Sequence, residues 1–171
     1  MFNIGDNILY GTSGIMTVVD LRQECLTDEE KTYYVLSEYG GKSTSLTYAP
    51  LDNEKIISSM HPLLTREEVA DAISSAREMP DPSWNPDSRA RAESYRAVMR
   101  SADRAAIFVM IRTVHNTGLR RAAIGKKNFQ TDENIMHKAE AIIALELSIV
   151  LGITVSEARE MIDRDVKGIT A

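Results

Sequence analysis

The chain has one cysteine, Cys25, so no disulfide can form within it, and a reducing cytoplasm is the expected setting. Its three histidines, His61, His115 and His137, are too scattered for any common zinc spacing. The glycines never gather into a phosphate-cradling loop of the P-loop or dinucleotide-binding kind. Long apolar runs are missing as well: the stretch 142–151 is interrupted by Glu146 and Ser148 and could not span a bilayer. The opening Met1-Phe2-Asn3-Ile4-Gly5-Asp6 shows no basic segment followed by an apolar one, so no secretory signal is expected. No nucleophile–base pair stands out, and the acidic run Asp28-Glu29-Glu30 reads as a solvated loop. These absences argue against an enzyme, a resident cofactor or metal, a small-molecule substrate and a membrane partner. Tryptophan occurs once, as Trp84.

What is present is an ordinary soluble composition with an uneven charge. Apolar residues make up 43 % of the chain and charged ones 26 %, enough for one core or two small ones in 171 residues. The net charge of −5 conceals a basic middle. Residues 1–64 hold 4 Lys/Arg against 9 Asp/Glu, residues 65–128 hold 12 against 8, and residues 129–171 hold 4 against 8. A basic centre between acidic flanks bears on partners more than the total does.

The first 60 residues read as about five short strands. Residues 8–10 and 15–21, separated by Gly11-Thr12-Ser13-Gly14, predict a hairpin. Residues 31–39, closed by Gly40-Gly41, and residues 44–49, stopped by Pro50, predict two more strands, with Thr27-Asp28-Glu29-Glu30 as a loop. Residues 53–59 fit a short helix or a connector. So many strands with tight turns suggest a strongly bent sheet or small barrel of the SH3 kind. From Thr65 the apolar period becomes helical, and Thr65 with Glu68 reads as a capping box. An all-α bundle of about five helices follows over 61–171, so the class is α+β with domains at 1–60 and 61–171. Asp103, Thr154 and Gly152 mark further helix ends, with helices expected over 104–116 and about 131–151 and a frayed tail after Asp165.

Pro80-Asp81-Pro82-Ser83-Trp84-Asn85-Pro86 reads as a proline-stiffened joint between the acidic, strand-rich part of the chain and the arginine-rich helices. Asn85-Pro86 predicts a helix start, with Asn85 as the cap. On that basis Trp84 would pack on Arg89 rather than on an aliphatic staple partner, which leaves the indole without a local apolar reason to be there. The helix carries Arg89, Arg91, Arg96 and Arg100 and no lysine; 89, 96 and 100 share a face, and Arg96 and Arg100 have no acid four residues away. Arginine suits bidentate phosphate contact, so this face is a candidate nucleic-acid site. The basic segment 118–128, with Arg120, Arg121, Lys126 and Lys127, is a second candidate phosphate contact.

In order along the chain, the start Phe-x-Ile-Gly-Asp-x-Ile-x-Tyr from Phe2 to Tyr10, Gly14-Ile15, Glu30-Lys31-Thr32-Tyr33-Tyr34-Val35-Leu36, Pro50-Leu51-Asp52-Asn53, Trp84 with Arg89 and Arg91, Ser101-Ala102-Asp103, Ala139-Glu140 and Glu146-Leu147 resemble the CarD/CdnL family of bacterial transcription regulators. The amino-terminal domain of that family is shared with the transcription-repair coupling factor. The resemblance implies a Tudor-like amino-terminal barrel docked on the β subunit of RNA polymerase. It also implies a helical domain at promoter DNA, where Trp84 would be a minor-groove wedge at the upstream bubble edge, without sequence reading. Two departures bear on docking: Tyr10-Gly11 stands where Tyr-Pro is common, and Glu24 and Tyr48 stand where arginines contact polymerase. Glu24, Thr47, Tyr48 and Pro50 are accordingly the expected polymerase contacts, with strand pairing along 44–49. Trp84, Arg89, Arg91, Arg96, Arg100, Lys126 and Lys127 are the expected DNA contacts. A monomer is expected. The alternative is a protein–protein adaptor whose arginine face meets an acidic partner without DNA.

Overall fold

A computed structural model describes residues 1–26, 29–41 and 45–168. Thr27 and Asp28 of the expected loop, and Thr44 at the start of the expected edge strand, lie outside the described residues. The chain is α+β and divides into two compact units, Met1–Leu63 and Leu64–Ala171.

The first unit is a five-stranded antiparallel sheet. Strand β1 (Asn7–Tyr10) turns through Gly11–Ser13 into β2 (Gly14–Glu24), and β3 (Lys31–Glu38) and β4 (Leu46–Pro50) follow. The turn uses glycines where φ is positive, 49° at Gly11 and 100° at Gly14, conformations that cost a side chain. A short helix α1 (Glu54–Ile57), capped by the Asn53 side chain, leads into β5 (Met60–Pro62). The order is β4-β3-β2-β1-β5. Among the described residues β4 and β5 do not pair, so the sheet is open where a closed barrel was expected. Strand β5 has only three residues and ends in Pro62, which cannot extend a ladder. The β2–β3 register slips between Val18 and Asp20, leaving Val19 as an extra residue, and such a bulge bends and twists a sheet. One face buries Ile8, Met16, Val18, Tyr34, Leu36, Ala49 and Met60, closed over by Phe2, Leu51 and Ile56.

The second unit consists of α2 (Arg66–Glu78), α3 (Ser88–Ser101), α4 (Arg104–Ala122), α5 (Gln130–Leu151) and α6 (Val155–Ile162), the last continued by a π turn over Asp163–Lys167. Thr65 and Glu68 form the expected capping box, Thr154 and Glu157 a second, and Asp103 caps α4 through the Ala106 N–H. Helix α4 packs on α2, α3 and α5, and Ile107, Phe108 and Ile111 along it are fully buried. Two expected ends move. Helix α4 runs on through Gly118 to Ala122, past the expected end near 116. Within the tail expected to fray after Asp165, Val166 is buried and Lys167 Nζ lies 2.9 Å from Asp163, while residues 169–171 lie outside the described residues. No single helix among the described residues is long and apolar enough to cross a membrane.

Candidate nucleic-acid interface

The segment between α2 and α3 is pinned from both sides. Arg112 on α4 donates to the carbonyls of Ala76 and Met79 at 2.6 Å each and to the Asp81 carboxylate at 2.8 Å. These bonds satisfy carbonyls left open at the end of α2 and hold the first proline turn in place. Asn116 reaches the same carboxylate at 3.4 Å. Burial raises the Asp81 pKa, but the hydrogen bonds from Arg112 and Asn116 and the guanidinium charge outweigh it and hold the carboxyl below its usual range. A pKa lowered on folding contributes stability above the unfolded carboxylate value and loses it as pH falls through the folded one. Trp84 emission is therefore expected to hold steady from neutral pH downward and to change only below about pH 4. Asp81→Asn, which cannot titrate, should lack that part of the transition in a fluorescence titration.

At the far end the helix starts two residues later than the sequence suggested. Asp87, not Asn85, is the cap, accepting from the Arg89 and Ala90 N–H groups at 2.8 and 3.1 Å. Asn85 instead accepts from the Asp87 N–H at 2.9 Å and shapes the turn. The expected packing of Trp84 on Arg89 therefore does not arise. Trp84 stacks on Phe129, with ring centroids 5.3 Å apart and an interplanar angle of 26°. The Arg91 guanidinium lies 4.1 Å from the Trp84 ring centroid and 4.5 Å from that of Phe129, and Arg121 lies 4.0 Å over Phe129. Even so packed, the indole stays 40 % exposed. It walls two clefts, one of about 230 Å³ with Pro82, Asn85 and Tyr95, the other of about 320 Å³ with Ile124 and Arg120.

Arg91 needs correction as a phosphate contact. It is 3 % exposed, its Nε donates to Asp132 at 2.9 Å, and its Nη1 donates to the carbonyls of Asn85 and Pro86 at 2.8 and 3.1 Å. A side chain so enclosed cannot reach a phosphate; it fixes the turn under the indole. Its partner Asp132, 1 % exposed, sits in the first turn of α5, where the helix dipole also favours a negative charge. Phe129 and Asp132 escaped the sequence reading, and Arg121 entered it only as part of the basic segment 118–128. The available signal was that Arg91 precedes Tyr95 by four residues and Met99 by eight, on the buried face of α3.

The remaining cations are at the surface. Arg89, Arg96 and Arg100 are exposed along α3. Arg96 and Arg100 have no acid four residues away, but Glu93, three and seven residues before them, lies 4.0 Å from Arg96 and 2.7 Å from Arg100. Solvent-exposed pairs of this kind are weak and exchangeable. No ion pair among the described residues involves Arg89, Arg120, Arg121, Lys126 or Lys127. Arg120 and Arg121 sit on the last turn of α4, where the helix dipole favours cations. The chain then folds back: the Lys126 N–H donates to the Arg121 carbonyl at 2.9 Å and Arg121 Nε to the Lys127 carbonyl at 2.7 Å. Gly118 permits this return, since a Cβ there would meet Asn128 Nδ2 at 2.8 Å. The structure thus gathers Trp84, Arg121, Lys127 and Phe129, with Arg89 on the adjoining helix.

The expected polymerase contacts belong to the other unit. Thr47 is exposed and Tyr48 and Pro50 are half-buried on β4, an edge of the sheet, with Tyr48 edge-on to Tyr33 at 6.1 Å. Glu24 ends β2 opposite Lys31, at the same end of the sheet as Pro50, which lies opposite Tyr33. Arginine is not absent here: Arg22, 45 % exposed at its side chain, pairs with Asp20 on β2. No protein-family model matches the chain, and a search of curated proteins also finds no match.

Proposed function

We propose that the chain regulates bacterial transcription initiation, in the manner of the CarD/CdnL family that its sequence resembles. In this reading the sheet unit is an open, Tudor/SH3-like fold that docks on the RNA polymerase β subunit through its β4 edge, with Glu24, Thr47, Tyr48 and Pro50 at the contact. Edge strands carry unpaired backbone groups suited to pairing with a partner strand. The helical unit stabilises the promoter open complex by sequence-independent contact at the upstream bubble edge. There Trp84 serves as a minor-groove wedge, and Arg89, Arg96, Arg100, Lys126 and Lys127 meet phosphates.

The observation that carries this reading is an indole left 40 % exposed although its backbone is anchored on both sides and its ring is backed by Phe129 and Arg91. An aromatic kept outward on a rigid mount beside unpaired cations suits stacking on bases. Wedging costs about a few kcal/mol per unstacked step, so it favours DNA already distorted at the bubble. The chain's net charge of −5 makes grip on free DNA weak, and attachment to polymerase would supply the local concentration.

Trp84→Ala is expected to shorten open-complex lifetime about ten-fold, the effect of losing one base–aromatic stack. Co-purification with bacterial RNA polymerase should persist. Loss of both together, or an unchanged lifetime, would count against the two-site reading. An unchanged footprint at the bubble edge would point instead to the adaptor, in which the arginine face meets an acidic protein.

A further inference from the structure

The larger cleft beside Trp84 has features that a wedge alone does not use. Trp84, Thr117, Arg120, Arg121, Ile124 and Phe129 line it, and its volume is about 320 Å³. Ile124, which lines the same cleft as the indole, is 66 % exposed, an apolar group left to solvent. No carboxylate lines the cleft, and among the described residues none pairs with Arg120 or Arg121. Arg120 is held by its neighbour Thr117, which is 7 % exposed and whose Oγ1 accepts from Arg120 Nη2 at 3.1 Å. Apolar walls, an aromatic face and fixed cations at the rim thus converge on one small space.

We propose that this cleft receives a single unpaired nucleobase, stacked on Trp84 against Ile124, with the adjoining phosphate on Arg120. The proposal rests on the reading of Trp84 as a DNA contact and adds the species it holds: an extruded or single-stranded nucleotide, not only a distorted base pair. Size and charge choose this occupant. About 320 Å³ is near the lower limit of small-molecule pockets, room for one ring system but not for a helix or a strand. An acidic peptide would satisfy Arg120 and Arg121 but bring no flat ring to the indole. A nucleotide supplies both the ring and the anion. Stacking needs only a π face, so the cleft would be indifferent to sequence.

Trp84 is the only tryptophan, so its emission reports the cleft directly in the full chain. The test compares a short oligothymidylate with an abasic tetrahydrofuran strand of equal length at low ionic strength; the two share phosphates and differ in bases. The oligothymidylate is expected to quench Trp84 and to bind about ten-fold more tightly than the abasic strand. Ile124→Ser, a neutral change at an exposed site, should erase that preference and leave the binding of the abasic strand unchanged. Arg120→Gln should weaken both strands alike. Equal binding of the two strands, absent quenching, or equal quenching by polyglutamate would each overturn the base cleft. If the preference is absent while Trp84→Ala still shortens the open complex, the cleft fails and the wedge stands. If the preference is present and open complexes do not respond to the protein, the cleft stands and the proposed function fails.

Discussion

Replacing Glu146 with alanine is expected to cost the helical unit about 3–5 kcal/mol, the usual loss when one partner of a buried ion pair is removed. Glu146 is 1 % exposed among the apolar residues of the last third of α5. Its carboxylate accepts from Arg104 Nη2 at 2.7 Å, from Arg104 Nε at 3.1 Å and from the Leu64 N–H at 3.1 Å. One side chain thereby joins the entry to the unit, the start of α4 and the later part of α5. Arg104 itself is 7 % exposed and donates to the Ala102 carbonyl at 2.6 Å. That bond helps hold Ala102 at φ 54°, a left-handed conformation unfavourable for any residue with a Cβ. Without the carboxylate the buried guanidinium loses its bidentate ion-pair partner, and the helix joint loses its tether. In a unit of roughly a hundred residues each kcal/mol moves the midpoint by about 4–8 °C, so melting followed by circular dichroism should fall by at least about 12 °C. Arg104→Met combined with Glu146→Leu should recover much of that loss, because both charges leave together. Recovery should be incomplete, since the Leu64 N–H would lose its acceptor. A single substitution costing less than about 1 kcal/mol would show that the pair does not hold the joint.

The contrast between these residues and the helix caps shows which information is local. Thr65, Asp103, Thr154 and Gly152 could be read directly, because a cap and the N–H groups it satisfies lie within one turn of chain. The β1–β2 hairpin was legible for the same reason. Closure of the sheet was not, because it depends on whether β4 meets β5, two edges with no local signal in common. Gly118, beyond the expected helix end at 116, serves as the place where Asn128 approaches α4, a role decided ten residues away. Charged residues misled most. Arg91 and Arg104 were read as surface or passed over, yet each is buried against a carboxylate more than 40 positions distant. A pattern of hydrophobic period has no entry for an arginine that belongs to the core. At the candidate site the sequence yielded the outward residue, Trp84, and not its mount of Phe129, Arg91 and Asp132, which exists only after α3 and α5 pack.

That mount is the subject of the second large effect. Arg91→Ala should destabilise the helical unit by about 3–5 kcal/mol, because Asp132 would remain 1 % exposed with its cation gone. Arg91→Lys is the more informative change. Lysine keeps the charge for Asp132 but lacks the planar fork that at once pairs with Asp132, donates to the Asn85 and Pro86 carbonyls and lies against two rings. The variant should fold with a smaller loss while the turn carrying Trp84 loosens, seen as red-shifted emission and lower anisotropy of the lone tryptophan. If the fixed pose of the indole is what DNA contact requires, Arg91→Lys should also shorten open-complex lifetime toward that of Trp84→Ala, although Trp84 is still present. Arg89→Ala is the control from the same helix, since Arg89 is exposed and the cation–π contacts to the indole stack among the described residues come from Arg91 and Arg121. It should leave emission unaltered and reduce the salt dependence of DNA association by about one counterion. The two arginines then separate by signature: one changes the tryptophan emission along with the lifetime, the other weakens association and lowers the salt slope with emission unaltered. Unaltered emission and lifetime in Arg91→Lys would mean that Phe129 alone sets the pose, and that the buried ion pair serves stability only.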